Sequence, residues 1–341
     1  MRKLVECVPN FSEGQNQITI DAIGAEIQRV SGVRLLNIEP DKDYNRTVIT
    51  FIGEPDAVLE SAFQAAKIAA VQIDMKNHKG EHPRIGAIDV VPFVPIRGVT
   101  MNECVQLANR FGQRVAIELN IPVYLYEFAS HAPHRKNLSD IRRGEYEGLP
   151  DKLTDPAWIP DYGEPIFNSK SGATVTGARN VLIAYNVNLK TGDVTLAHEI
   201  ALRIRESGRT MKDEFDNPVK NEKGETIKVP GTLKAVKAIG VFLERFKIAQ
   251  ISMNLVDYET TSMHEAYDEI KKQAQALDIE VTGSELVGLA PLEAMVKAGK
   301  FYSDNKPLSE QEYLALAVDK MGLDQFEPFD AKKKIIEYQI D

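Results

Sequence analysis

The residues best suited to chemistry lie in one short segment, HKGEHPRIGAID, at residues 78–89. It carries two of the six histidines together with basic and acidic side chains, and the apolar run VVPFVPI at residues 90–96 follows it. That run predicts a buried strand that would hold the polar loop rigidly, and catalytic groups concentrate on loops held by a rigid scaffold. Since an imidazole has an ordinary pKa of about 6.5, His82 could act as a general base near neutral pH. A structural histidine bonded to Glu81 or Asp89 fits the same pattern, and the residues alone leave both interpretations open.

The spacing of His78 and His82 raises the question of a metal site, because two residues four apart share one face of a helix. Gly80 and Pro83 oppose a continuous helix here, and no cysteine or third histidine is close in sequence. We therefore predict no metal site.

A second polar cluster, EPDKDYNR at residues 39–46, lies in a turn between two predicted strands. Arg46 could bind a substrate carboxylate through its forked N–H groups, and an acid of the turn could orient a histidine. A solvated hairpin without a catalytic role is the alternative that the residues leave open.

The segment GATVTGAR at residues 172–179 has the glycines of a loop through which a ligand can approach the backbone closely. It lacks the Gly-Lys-Ser/Thr of a P-loop, and the Gly-x-Gly-x-x-Gly pattern is absent too. A nucleotide cofactor is therefore not predicted.

The composition argues against a nucleic-acid-binding protein and against a membrane protein. The 341 residues include 41 basic and 50 acidic side chains, a net charge of -9, which argues against a nucleic-acid partner. No apolar stretch approaches the roughly 20 residues that span a bilayer, and the N-terminus has no apolar region of signal-peptide length. The two cysteines, Cys7 and Cys104, stand in apolar segments and are expected to be buried thiols. We predict a cytoplasmic protein with no membrane partner.

The elements that must position these residues follow the order β-α-β-β-α-β twice. In the first half we predict strands at residues 4–8, 33–38, 47–52 and 90–94 and helices at 16–30 and 56–74, followed by a helix at 101–118 and a strand at 123–126. In the second half we predict strands at residues 181–189, 238–243, 249–254 and 279–286 and helices at 195–205 and 263–277. The predicted fold class is α/β (α+β), with two ferredoxin-like subdomains at residues 1–179 and 180–341 whose sheets pack together.

Two segments interrupt this pattern. Residues 131–177 are rich in proline and lack periodicity, apart from a short helical pattern near 138–143, so they are expected to form an irregular surface connector. Residues 209–231 are polar and predict a protruding hairpin or a mobile loop.

Taken together, several segments resemble the formiminotransferase family, and the resemblance extends over nearly the whole chain. They are LVECVPNFSEG at residues 4–14, NRTV at 45–48, the segment at 78–89, FGQR at 111–114, PVYLY at 122–126, RGEYEGL at 143–149, GATVTGAR at 172–179, AQISMNL at 249–255 and GSELVGL at 283–289. The resemblance implies transfer of the formimino group of N-formimino-L-glutamate to N5 of tetrahydrofolate, a step of histidine degradation. It also implies two α/β subdomains and a homodimer. Since animal members are fused to a cyclodeaminase, and this chain ends soon after the transferase pattern, a separate cyclodeaminase is expected to act on the product.

The resemblance also assigns site residues. The family's catalytic histidine falls on His82, and Arg46 matches the family and is the candidate for a substrate carboxylate. The family has an aspartate at the position of Glu39, so either Glu39 or the nearby Asp41 is expected to support the histidine. A second folate contact falls on Gly231. The main folate-binding segment carries over onto Gly163, Glu164, Pro165, Ile166, Phe167, Asn168, Ser169, Lys170, Ser171 and Gly172, where Ser171 replaces a tryptophan of the animal enzymes.

Two alternatives remain beside this interpretation. The same fold could use a formyl-glutamate or formimino-glycine donor. The chain could also be a non-catalytic folate-binding partner of a cyclodeaminase.

Overall fold

The computed structural model describes residues 3–42, 44–304 and 306–339. The chain forms two compact units, which divide between residues 180 and 181. Among the described residues, no helix combines the length and the apolar character that crossing a bilayer requires.

The first unit is built on one seven-stranded sheet. Its strands are β1 (Leu4–Cys7), β2 (Asn10–Phe11), β3 (Val33–Asp41), β4 (Arg46–Gly53), β5 (Ile88–Arg97), β6 (Val123–Glu127) and β7 (Thr174–Ala178). Its α-helices are α1 (Gln17–Arg29), α2 (Pro55–Gln72), α3 (Met101–Leu119), α4 (Leu138–Arg142) and α5 (Leu149–Thr154). Two short 3₁₀ turns, Pro133–Arg135 and Pro156–Trp158, flank α4 and α5.

The strand order of this sheet confirms the predicted ferredoxin-like element order. Strand β4 pairs with β3 on one side and with β1 and β2 on the other, and β1 and β2 also pair with β5. These pairings are antiparallel, whereas β7 and β6 extend the sheet in parallel beyond β5. Helices α1, α2 and α3 contribute their apolar sides to one large core, in which Phe51, Phe63, Phe93 and Phe111 are buried.

The short helix predicted near residues 138–143 is confirmed as α4, but the irregular surface connector predicted for the rest of 131–177 is wrong where α5 and β7 form. Ile141 of α4 and Leu149 of α5 pack with Val90, Tyr124 and Val175 in a second apolar cluster on β5, β6 and β7. This stretch therefore covers part of the sheet instead of lying on the surface as irregular chain.

The prediction of a ligand-binding loop at residues 172–179 is also wrong, because Thr174–Ala178 is a buried strand between β5 and β6. Gly172, with a φ of +67°, does make a close backbone approach. However, a Cβ atom at this position would lie only 2.1 Å from the carbonyl oxygen of Ile85. The neighbour that requires glycine here is thus the protein's own backbone.

The second unit repeats the order in a four-stranded antiparallel sheet. The strands of this unit, including two outside the four-stranded sheet, are β8 (Ile183–Leu189), β9 (Arg209–Thr210), β10 (Lys228–Val229), β11 (Val236–Leu243), β12 (Ile248–Leu255) and β13 (Val281–Val287). Its helices are α6 (Val194–Ile204), α7 (Met263–Gln275), α8 (Leu292–Tyr302), α9 (Glu310–Met321) and α10 (Ala331–Lys334), with a 3₁₀ turn at Glu337–Gln339. The sheet order is β11-β12-β8-β13, and β9 pairs with β10 in the polar interruption. Helix α8 was not predicted. That the two sheets pack together stays a prediction.

Candidate functional site

His82 lies half-buried on the loop between α2 and β5, at a narrow recess. Three segments that are distant in sequence meet there: the β1–α1 region, the turn between β3 and β4, and the histidine loop itself. The lining residues are Asn10, Phe11, Ser12, Tyr44, Asn45, Arg46, His78, His82, Arg84 and Asp89. The structure therefore brings the two polar clusters of the sequence, residues 39–46 and 78–89, into one place.

The His82 imidazole is in a desolvated and positively charged environment. Burial, followed by the positive charges of Arg46 and Arg142, lowers the pKa of His82 to about 3, and Asp41 opposes this shift. The Tyr44 ring lies beside it, with 5.9 Å between the ring centroids. The imidazole is consequently neutral at neutral pH and can accept a proton.

Arg46 presents a positive charge to the recess. It is the first residue of β4, and its Nη1 donates a hydrogen bond of 2.8 Å to Oδ1 of Asn10. Its Nε–H is buried and meets no hydrogen-bond acceptor in the described part of the chain. An unmatched N–H on a buried guanidinium is costly, so an anionic oxygen that entered the recess would be bound favourably.

The two acids of β3 that could support the histidine have different surroundings. Glu39 is exposed, and its Oε1 accepts a hydrogen bond of 2.6 Å from Nδ2 of Asn37. Asp41 is half-buried, pairs with Arg46 in the strand register, and raises the pKa of both Arg46 and His82. Asp41 is therefore the acid with the stronger electrostatic effect on the recess. The role of Glu39 stays a prediction.

The end of the histidine loop is fixed by Asp89, which is buried at the start of β5. Its Oδ1 accepts the backbone N–H of Ile85 at 2.9 Å, and its Oδ2 forms a tight ion pair with Nη2 of Arg142. Arg142 ends α4, the short helix predicted near residues 138–143. Sequence reasoning missed its place near His82, because no local pattern relates it to a loop about 60 residues earlier.

His78 is bound by the protein at both ring nitrogens. Nε2 lies 2.8 Å from the carbonyl oxygen of Asn45, and Nδ1 accepts a hydrogen bond of 3.2 Å from Nε of Arg84. A metal ion at His78 would have to displace one of these partners. Across residues 3–42, 44–304 and 306–339, no three His, Cys, Asp or Glu side chains are grouped so as to hold a metal ion.

Part of the predicted folate-binding segment lines a groove of about 630 Å³ beside the C-terminal half of α3, a volume typical of small-molecule sites. Ile117 and Ile166 are large apolar side chains on its walls, and they are 68% and 70% exposed. The complete lining is Gln113, Ala116, Ile117, Asn120, Ile121, Pro122, Tyr162, Gly163, Glu164, Ile166, Phe167 and Asn168.

The other end of this segment approaches the histidine loop. Ser171 is only 3% exposed, and its carbonyl oxygen accepts the N–H of Ala87 at 2.9 Å, while Gly172 bridges to Gly86. Ser171 does not line the groove. Residues 163–172 therefore run from the groove to the backbone of the histidine loop at Gly86 and Ala87.

Gly231 lies in the second unit, between β10 and β11. A Cβ atom there would lie 2.0 Å from the carbonyl oxygen of Arg205, so backbone packing requires glycine at this position. Its contact with folate stays a prediction.

Comparison with known proteins gives two matching family models. The formiminotransferase domain, N-terminal subdomain, matches residues 4–179, and the formiminotransferase domain matches residues 184–341. A formimidoyltransferase-cyclodeaminase of Rattus norvegicus is 50% identical over 343 aligned residues, which cover 100% of this chain and 60% of the relative. A glutamate formimidoyltransferase of Streptococcus pyogenes serotype M1 is 43% identical over 302 residues, covering 89% of this chain and 94% of the relative. Another glutamate formimidoyltransferase, of Thermoplasma acidophilum, is 40% identical over 319 residues, which cover 93% of this chain and 98% of the relative.

Proposed function

Because the chain belongs to the formiminotransferase family, we propose that it is a glutamate formimidoyltransferase, which transfers the formimino group of N-formimino-L-glutamate to N5 of tetrahydrofolate in histidine degradation. The observation that carries the proposal is the neutral His82 imidazole beside the Arg46 guanidinium, whose buried Nε–H meets no acceptor among the described residues. The bacterial and archaeal relatives that bear this name are similar over most of the chain, which supports it. The chain spans 60% of the length of the rat relative, whose name also includes a cyclodeaminase.

The reaction needs one proton to be moved between two nitrogens. N5 attacks the amidine carbon, a new carbon–nitrogen bond forms, and the adduct must lose the N5 proton. His82 accepts that proton as a neutral base and then returns it to the glutamate nitrogen as the old carbon–nitrogen bond breaks. No net proton is gained or lost, so one imidazole is sufficient for both transfers.

Arg46 links donor binding to the strength of this base. Its positive charge is one of the causes that lower the pKa of His82. A carboxylate of the donor bound to Arg46 would offset that charge, and the imidazolium formed during the reaction would become less unfavourable. The base would therefore be strongest when the donor is in place.

The folate co-substrate is proposed to lie along residues 163–172. The groove beside α3 has the volume and the apolar walls to bind part of a molecule of this size, and the segment ends at the backbone of the histidine loop. Gly231 is the proposed second contact. We expect a cytoplasmic homodimer whose product is consumed by a cyclodeaminase.

A direct assay tests the proposal. Purified protein is incubated with N-formimino-L-glutamate and tetrahydrofolate, and 5-formimino-tetrahydrofolate is measured, with each substrate omitted in turn as a control. Formyl-glutamate and formimino-glycine are supplied as competing donors to separate the alternative reactions. Folate binding without any product, unchanged in His82→Ala, would instead indicate the non-catalytic folate-binding partner.

A further inference from the structure

We infer that His78 is a positioning residue, whose neutral ring joins the Arg46 turn to the His82 loop by accepting from Arg84 and donating to Asn45. This role is not part of the proposed proton transfer, although its effect on turnover rests on the proposed function. The inference follows from the hydrogen bonds around the ring.

The partners of His78 fix its tautomer. An arginine Nε can only donate, so Nδ1 of His78, 3.2 Å from Nε of Arg84, must be the unprotonated nitrogen. The ring proton is then on Nε2, which donates to the carbonyl oxygen of Asn45 at 2.8 Å. Only the neutral ring with the proton on Nε2 satisfies both contacts.

One side of this bridge holds the turn that carries Arg46. Asn45, the residue before Arg46, has a left-handed backbone with φ of +47°. Its Oδ1 accepts the N–H of Gly14 at 2.9 Å, and its Nδ2 donates to the carbonyl oxygen of Lys79 at 2.8 Å. Together with the bond from His78, these contacts hold the left-handed backbone that sets the direction of Arg46.

The other contact of His78, with Arg84, closes the loop that carries His82. Arg84 is 6% exposed, and its guanidinium is fixed by Glu147 through two hydrogen bonds of 2.8 and 2.7 Å and by Glu145 through one of 2.8 Å. His82 lies between His78 and Arg84 in the sequence, so their side-chain bond ties the two ends of the short loop together. A bidentate, nearly buried arginine is a rigid anchor for that loop.

Burial, more than the surrounding charges, favours the neutral form of the His78 ring. Burial and Arg84 lower its pKa, while the bond to Asn45 and the carboxylates of Glu13 and Glu147 oppose the shift. A proton on Nδ1 would direct an N–H at the N–H of Arg84 and place two cations in contact. Acid should therefore break the bridge and separate the Arg46 turn from the His82 loop.

Two variants test the inference. In His78→Gln the carboxamide oxygen can accept from Arg84 and the carboxamide nitrogen can donate to Asn45, and the side chain does not titrate. In His78→Leu neither contact is possible. We expect kcat to fall about 10- to 100-fold in His78→Leu, since small misplacements of catalytic groups have effects of this size. The KM for tetrahydrofolate should stay unchanged.

The glutamine variant supplies the discriminating readout. We expect kcat of His78→Gln to be at least about tenfold higher than that of His78→Leu. The acid limb of the kcat–pH profile should also move to lower pH than in the wild type, because glutamine has no ring nitrogen that acid can protonate. Wild-type kcat in His78→Leu, glutamine no better than leucine, or an acid limb unchanged in His78→Gln would each overturn the inference.

A measurement independent of turnover separates this inference from the proposed function. In nitrogen NMR of the labelled wild-type protein, with His78→Gln used to assign the signals, we expect His78 Nδ1 unprotonated and Nε2 protonated at pH 7. A proton on Nδ1 would refute the bridge even in an active enzyme. An inactive enzyme with the expected tautomer would refute only the proposed function.

Discussion

Asp41 lies directly opposite Arg46 in the antiparallel pairing of β3 and β4. The pair stands at the ends of the two strands, where the turn between them borders the recess of His82. The strand register thus places a negative and a positive side chain next to the same imidazole. Their effects on it are opposite, since Arg46 lowers the pKa of His82 and Asp41 raises it. The two charges therefore adjust, in opposite directions, a base strength that burial lowers most.

Replacement of His82 should remove the general base. We expect His82→Ala to lower kcat by about 10²–10⁴-fold, the usual contribution of a positioned proton acceptor. His131→Ala is the matched control, because His131 is an exposed histidine of the first unit, and it should keep wild-type kcat. A loss below tenfold in steady-state assays of His82→Ala would exclude this role for the imidazole.

The roles of Glu39 and Asp41, the two acids of β3, can be distinguished by a pair of isosteric substitutions. Asp41→Asn removes a charge that raises the pKa of His82, so the base becomes weaker and kcat should fall about tenfold, corresponding to roughly one pKa unit. Glu39→Gln, at an exposed carboxylate, should change kcat by less than about twofold. The opposite order of effects would assign the supporting role to Glu39.

Loss of the Arg46 charge should be visible in the titration of His82. We expect Arg46→Met to raise the pKa of His82 from about 3, because a positive charge that disfavours the imidazolium has been removed. The KM for the donor should rise about 10- to 100-fold through the loss of a charge-assisted hydrogen bond.

NMR titration of the His82 ring protons measures the first effect, and steady-state kinetics measures the second. Arg143→Met is the control, since the Arg143 side chain is 80% exposed and pairs with Asp140. An unchanged His82 pKa in Arg46→Met would show that the two side chains are not electrostatically coupled.

A charge in the groove beside α3 should weaken folate binding. Ile166→Asp places an acid on its wall, and we expect the KM for tetrahydrofolate to rise about tenfold with little change in kcat, because the groove loses apolar contact area. Ile159→Asp is the matched control: Ile159 is also more than half exposed but does not line the groove. Equal KM values in the two variants would exclude the groove as part of the folate site.

The sequence by itself determined most of the elements of both units and the loop that carries His82, but not β7 or α8. Helices such as α2 and α7 present apolar residues every three or four positions, and this periodicity is a local property that can be read before folding. It failed for β7, because Thr174–Ala178 is short, has small side chains and is buried throughout, so it shows no alternation. Its neighbours β5 and β6 supply the hydrogen bonds that make it a strand.

Only the tertiary structure decided how the site residues are related. Which acid of β3 lies opposite Arg46 depends on strand register, and the approach of Arg142 to Asp89 depends on packing across 53 residues of chain. The same holds for His78, which the sequence presented as a possible metal ligand and the fold places between Arg84 and Asn45. Two of these contacts, Arg142–Asp89 and His78–Asn45, join residues 53 and 33 positions apart. The other two join near neighbours, but they depend on strand register and on the folded loop, which no local pattern of residue types encodes.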